Sequence, residues 1–298
     1  MLTGSLVAIA TPMTDEGGLD LDAFRRLVEF HIKEGTQGII AVGTTGESPT
    51  VDFDEHCLLI RTAVEQAAGR VPVIAGTGSN ATNVTIENQK RVKDLGASHA
   101  LVVTPFYNKP TQEGMYQHFK MIHDQTRLPI IIYNIPPRSV VDMSIETMDR
   151  LAKLPRIVGV KDATGDLVRP LKTRIAIGEK FCQLSGEDGT ALAFNAQGGV
   201  GCISVTANIA PRLCADMQAA WQTGDMDKAQ ELNIRLMPVH DALFCETSPG
   251  PVKYAASLLG LCTPEVRLPL VGIADISKRK VEAALRQSGQ DGPAPAGG

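Results

Sequence analysis

"PIIIYNIP", Pro129–Pro136, is apolar almost from end to end before it closes on a tyrosine, an asparagine and a proline. A strand with one face in water alternates apolar and polar residues, because successive side chains point to opposite faces. A run without that alternation is covered on both faces, as parallel strands are when helices pack over the sheet. Seven more runs read the same way. They are "SLVAIATPM" (Ser5–Met13), "GIIAVGTT" (Gly38–Thr45), "VPVIAGTG" (Val71–Gly78) and "HALVVTPFY" (His99–Tyr107), then "IVGVKDAT" (Ile157–Thr164), "FCQLSGED" (Phe181–Asp188) and "GCISVTANI" (Gly201–Ile209).

Amphipathic stretches lie between them. "LDAFRRLVEFHIKEG" ends at Gly35, "DEHCLLIRTAVEQAAG" at Gly69 and "ATNVTIENQKRVKDLG" at Gly96, each glycine in the position that follows a helix C-terminus. Eight strands each followed by a helix, joined by right-handed crossovers, predict a (β/α)8 TIM barrel. The competing architecture is an open, doubly wound sheet, but the G-x-G-x-x-G fingerprint is missing after the first strand. Beyond Arg212 the strand signal stops, and four helical patterns follow. The expected organisation is a catalytic barrel over 1–224 and a helical appendage over 225–290. "DGPAPAGG", 291–298, is rich in Pro and Gly and predicts a disordered tail.

With 298 residues, 43% hydrophobic and 21% charged, the chain has the composition of a soluble globular protein. A net charge of −4 gives no electrostatic reason to expect nucleic acid or an anionic membrane as a partner. No apolar run approaches the roughly 18 residues of a membrane span. "MLTGSLVAIATPM" lacks the basic stretch and cleavage region of a signal peptide and reads as a strand. The six cysteines are scattered without a C-x-x-C pair, so reduced thiols and a cytoplasmic location are expected. The six histidines form no familiar ligand spacing, and no metal site is predicted. The glycine loops "GTTGE", "GTGSN" and "GGVG" never continue as G-K-[ST], and short turns need glycine for backbone reasons alone.

Barrel chemistry sits at the C-terminal ends of the strands. There the sequence places Thr44 and Thr45, Tyr107, Tyr133 with Arg138 just beyond it, and Lys161. Alternation along "IVGVKDAT" puts Ile157, Gly159, Lys161 and Ala163 toward the barrel interior and Val158, Val160 and Asp162 toward the helices. Asp162 is thus adjacent in sequence but on the opposite face, and Gly159 is expected to leave space beneath the amine. A free lysine amine is neutral in about one molecule in 2,500 at pH 7. Burial away from a carboxylate disfavours the cation, and a neutral amine adds to carbonyls to form a Schiff base. The plainer alternative is a lysine that snorkels its head out of the barrel mouth. Tyr133 could equally be core packing with a satisfied hydroxyl. Tyr107, beside Phe106, reads as rim packing or a subunit contact.

Taken together, "VGTTGES", "GTGSNAT", "VTPFYNKP", "YNIPPRS", "GVKDATG" and "LSGED" resemble the dihydrodipicolinate synthase family. That family belongs to the pyruvate-dependent class I lyases and aldolases, and the resemblance runs from the N-terminus to about residue 270. It implies that Lys161 forms an imine with pyruvate, which loses a methyl proton to become an enamine. The enamine then attacks L-aspartate 4-semialdehyde on the route to lysine and diaminopimelate. It further implies that Tyr133, Thr44 and Tyr107 relay protons, with Tyr107 lent by a neighbouring subunit. Thr45 would hold the pyruvate carboxylate, Arg138 the semialdehyde carboxylate, and backbone groups of Gly186 and Ile203 would shape the pyruvate end. The imine is its own electron sink, so the family needs no dissociable cofactor, and its usual assembly is a homotetramer built as a dimer of dimers.

Lysine-inhibited relatives bind free lysine through a further set of residues, to which Ser48, His56, Gly78 and Asn80 correspond. Phe53, Val84, Pro49 and Phe106 depart from that pattern, and Val84 removes the acid that would meet the ammonium. Weak or absent feedback inhibition follows as an expectation. Two other readings compete with the synthase. One is a sister lyase, such as N-acetylneuraminate lyase or a keto-deoxy sugar acid aldolase. The other is a non-catalytic barrel that binds a keto acid. Arg138 favours a small carboxylated aldehyde over a polyol chain.

Overall fold

The structure, a computed structural model, describes residues 1–290. The tail expected over 291–298 lies outside the described residues. Eight parallel strands close into a barrel in chain order. They are β1 (Gly4–Ala8), β2 (Gly38–Ala41), β3 (Val73–Gly76), β4 (His99–Val103), β5 (Ile130–Asn134), β6 (Ile157–Asp162), β7 (Cys182–Ser185) and β8 (Gly201–Ser204). β1 pairs with β8 through Leu6 and Ile203, which completes the ring. The TIM barrel expected from the sequence is present.

Around it run α1 (Leu21–Lys33), α2 (Phe53–Ala67), α3 (Thr82–Asp94), α4 (Gln112–Gln125), α5 (Pro136–Ser139) and α6 (Ile145–Ala152). They continue with α7 (Arg169–Ile177), α8 (Ala191–Ala196) and α9 (Pro211–Thr223). Three more helices, α10 (Met226–Ala242), α11 (Gly250–Leu258) and α12 (Asp275–Ser288), follow the barrel. None of the described helices is long and apolar enough to cross a membrane.

The helices start where side chains can take up free amides. Asp20 accepts from Ala23 N at 2.8 Å to begin α1, and Asp52 and Glu55 form a reciprocal capping box on α2. Gly35 and Gly96 follow α1 and α3 in left-handed conformations. At α2 the left-handed turn begins one residue before the expected Gly69, at Ala68 with φ 48°. Two apolar layers result. Val7, Ile39, Ala75, Val102 and Ile132 face the helices, while Leu6, Ile40, Ile74, Leu101, Ile131, Leu184 and Ile203 fill the barrel interior. Each fully buried Leu or Ile contributes roughly 1.5–3 kcal/mol, so the interior is a packed plug and only its upper end is free for polar groups.

The strands are shorter than the apolar runs. Pairing ends at Ala41 where Thr45 was expected, and at Val103 where Tyr107 was expected. The residues beyond leave the ladder to build loops at the C-terminal rim. Of six non-glycine residues with positive φ among the described residues, five stand in those loops: Val42 and Glu47 after β2, Tyr107 and Lys109 after β4, and Val140 after β5. Such backbone persists only where the surroundings dictate it. At Val42 that support is visible: a side chain on Gly76 would meet the Val42 carbonyl at 2.2 Å, and one on Gly46 its Cα at 3.0 Å.

Strand β6 departs from simple alternation. Its register with β5 shifts between Ile130 and Ile131, which pair with Ile157 and Gly159. Val158 is skipped by this bulge and packs against the interior cluster, while Ile157 joins the helix-facing one, the reverse of the expectation. From Gly159 onward the expected alternation holds, and it is this upper part that carries the lysine.

Candidate active site

Lys161 and Tyr133 are direct register partners on β6 and β5. Both are buried, at 5% and 6% exposure, and the lysine Nζ stands 4.3 Å from the centroid of the tyrosine ring. The ring face offers the amine a weakly attractive surface without a counter-charge. Lys161 makes no ion pair among the described residues. Asp162, next in sequence, turns to the helix side. Its Oδ2 lies 3.4 Å from Arg169 Nε, and its Oδ1 accepts from Thr164 N at 2.9 Å and Thr164 Oγ1 at 2.7 Å. Burial raises the Asp162 carboxyl above its ordinary range, against the lowering effect of Thr164 and Arg169.

Gly159 does not leave space beneath the amine. A Cβ there would lie 2.3 Å from the Cys182 carbonyl, so glycine is needed for the close approach of β7. The glycine that does make room for the lysine is Gly186, where a Cβ would meet Ala163 Cβ at 2.7 Å and Lys161 Cε at 3.2 Å. Its amide donates to Asp162 O at 2.6 Å and is therefore already engaged. Ile203 is wholly buried in the barrel interior at the register of Leu6.

Thr45 is buried at 3% exposure, and Thr44 is half-buried. Arg138 is exposed on the short helix α5, which Ser139 holds in place by donating to Ile135 O at 2.9 Å and accepting from Thr104 Oγ1 at 3.1 Å. Thr44 and Arg138 line one cavity of about 470 Å³ beside the barrel mouth. Ser48, His56 and Gly78, expected to form a separate effector site, line the same cavity, together with Phe53, Val84 and Phe106. Asn80 does not line it, and its carbonyl accepts from Asn108 Nδ2 at 2.8 Å. His56 donates from Nε2 to Gly76 O at 2.8 Å, and burial holds its pKa below the usual histidine value. Arg91 stacks on the Phe53 ring at 3.8 Å, covering the apolar side chain that stands in place of a polar one.

Tyr107 is the outlier of the set. It is 87% exposed with φ 72°, whereas Lys161 and Tyr133 are buried. Two acids missed in the sequence complete the rim. Glu187 is half-buried, and burial raises its carboxyl above the ordinary range while the charges of Lys161 and Arg138 pull it back. Asp188 ties β7 to β8 by accepting from Val205 N at 2.8 Å, Thr206 N at 3.2 Å and Ser204 Oγ. Both stand in "LSGED", and their positions at a strand end were the available signal.

A buried, unpaired lysine under a tyrosine, with hydroxyls and a guanidinium near the same barrel mouth, is an arrangement for amine chemistry on a small carboxylated ketone. The family model described as "Dihydrodipicolinate synthetase family" matches residues 1–288. The chain belongs to the dihydrodipicolinate synthetase family. A curated relative from Rhodospirillum centenum, a 4-hydroxy-tetrahydrodipicolinate synthase, is 62% identical over 97% of this chain and 99% of its own length. Another of that name from Acidiphilium cryptum is 58% identical over 96% and 98%. Among solved structures, the chloride-inhibited dihydrodipicolinate synthase from Acinetobacter baumannii complexed with pyruvate superposes with a TM-score of 0.95 at 46% identity, covering 97% of this chain and 99% of that one. Family membership extends to the last described helix, so the helices after the barrel are part of the shared architecture.

Proposed function

We infer that this chain is a Schiff-base-forming lyase, a 4-hydroxy-tetrahydrodipicolinate synthase that condenses pyruvate with L-aspartate 4-semialdehyde in diaminopimelate and lysine synthesis. One observation carries the chemistry: Lys161 Nζ is buried, has no carboxylate partner, and lies 4.3 Å from the Tyr133 ring. In this reading the amine adds to the pyruvate ketone and water leaves, forming the imine. Loss of a methyl proton gives the enamine, whose carbon attacks the semialdehyde aldehyde. Tyr133 and Thr44 relay the protons, together with Tyr107 lent by a neighbouring copy, which accounts for its exposure in the single chain. Thr45 anchors the pyruvate carboxylate, with backbone groups of Gly186 and Ile203 shaping that end of the pocket. Arg138 receives the semialdehyde carboxylate, for which its planar fork is suited.

The same reading makes the protein a homo-oligomer, a tetramer assembled as a dimer of dimers, in the cytoplasm. A sister lyase acting on a sugar acid is less well served, because a guanidinium at the mouth matches a carboxylate better than a polyol. Incubation with pyruvate and borohydride, followed by mass measurement, tests the chemistry. The expected result is a covalent adduct on Lys161, and an unmodified mass sinks the proposal in favour of passive binding. Beside Ser48, His56, Gly78 and Asn80, Val84 stands where lysine-inhibited relatives carry the acid that meets the ammonium. Millimolar lysine is therefore expected to change activity by less than about twofold, given that the missing charge-assisted bond is worth about 1.5–3 kcal/mol. Strong inhibition in that titration would refute it.

A further inference from the structure

The chain encloses a second lysine more completely than Lys161. Lys253, in the first turn of α11, is 0% exposed, and its Nζ donates to Glu47 Oε1 at 2.7 Å. Glu47 is itself 2% exposed and stands two residues after Thr45 with φ 57°. Its second oxygen, Oε2, accepts from Arg267 N at 2.9 Å. The main chain of Glu47 closes the loop in which it sits. Its amide donates to Thr44 O at 3.1 Å, and its carbonyl accepts from Thr50 N at 3.0 Å and Thr50 Oγ1 at 3.2 Å. Arg267 grips the far end of that loop, donating from Nη1 to Thr50 O at 2.8 Å and pairing with both oxygens of Glu55 at 2.5 and 2.6 Å.

A buried ion pair is a poor device for stability alone, since an apolar pair of similar volume does as well without the desolvation cost. Its distinguishing property is direction: the carboxylate must lie where the ammonium is, and the backbone bearing it must follow. Here that backbone is in a left-handed conformation unusual for glutamate, and it adjoins the two threonines. We propose that Lys253 is a positioning residue, which through Glu47 fixes the loop of Thr44 and Thr45 from the helices that follow the barrel. This inference rests on the reading of Thr45 as the pyruvate-carboxylate anchor. It also separates the two substrates. Arg138 is carried by α5, whose supports run through Ser139, Thr104 and Ile135 and not through Glu47.

Borohydride trapping at graded pyruvate concentrations gives the half-saturating concentration for adduct formation on Lys161. Lys253→Met is expected to raise it by about tenfold or more, as a displaced anchor does. The semialdehyde concentration for half-maximal turnover should stay within about twofold, because uniform loosening of the fold is not the cause. Glu47→Gln combined with Lys253→Met removes the stranded charge and recovers thermal stability, yet the pyruvate requirement should remain raised; this variant also decides the matter if Lys253→Met fails to fold. Half-saturation near the wild-type value in either folded variant overturns the proposal, and so does equal weakening toward both substrates. If the wild-type chain traps no pyruvate, the reading of Lys161 fails and takes this inference with it. Trapping by the wild type with unaltered variants overturns the inference alone.

Discussion

Lys253 and Lys161 are enclosed to nearly the same degree, at 0% and 5% exposure, yet only Lys253 has a carboxylate at 2.7 Å. Lys161 has a tyrosine ring at 4.3 Å, and the aspartate beside it is turned to Arg169. The contrast follows from electrostatics. A charge removed from water must be paired or neutralised, and which of the two a site provides sets what its amine can do. Bound to Glu47 at 2.7 Å, Lys253 ties distant segments together. Lys161 has no carboxylate partner among the described residues, so no ion pair occupies its amine, as the proposed nucleophilic role requires. Lys161 stands on β6 beside Tyr133, while Lys253 is bound to Glu47 in the loop after β2.

Denaturant unfolding should separate the two lysines most sharply. Lys253→Met strands a buried carboxylate and should cost about 3–5 kcal/mol. Lys161→Met removes a buried amine that has no partner, so its stability should be close to wild type or above it, while trapping of pyruvate disappears. Equal losses of stability would break the comparison. Arg138, the exposed cation of the rim, supplies the intermediate case. Arg138→Ala should lower kcat/KM for the semialdehyde by about 10- to 100-fold, the value of one charge-assisted contact, with half-saturating pyruvate in trapping unchanged. Survival of full turnover would mean that the second substrate is read elsewhere.

The smallest effect concerns Glu187, the acid whose field Lys161 and Arg138 both feel. Burial raises its carboxyl above the ordinary value of 4.5, so the folded state holds a proton that the unfolded chain has already released. Its contribution to stability is therefore present at low pH and lost as pH rises from about 4.5 through the raised value. Glu187→Gln has no proton to lose, and its urea midpoint should gain on wild type across that window. A constant gap between the two curves would show that Glu187 is solvated like any surface acid.

Much of this was legible in the linear chain. Two-sided apolar runs such as "PIIIYNIP" announce strands covered on both faces, because burial on each side excludes polar residues at every position. Lys161 was legible for the same reason, as a cation interrupting such a run, and neighbouring strands in a closed barrel bring Tyr133 beside it. The apolar runs overstate the strand ends, since "AVGTT" and "VTPFY" carry no charged residue while their backbone turns into left-handed loops. The bulge at Val158 and the purpose of Gly159 were hidden because both depend on β5 and β7, which touch β6 only after folding.

Local composition therefore determined the class of fold, the order of its elements and the one lysine that interrupts a buried strand, all of which depend on periodicity and on what a strand can bury. Tertiary structure alone decided which charges are paired. Lys253 lies in one of the helical patterns beyond Arg212, and its partner stands 206 positions away. No pattern along the chain encodes a contact of that range, because the ion pair exists only when the helices after the barrel dock against the loop after β2.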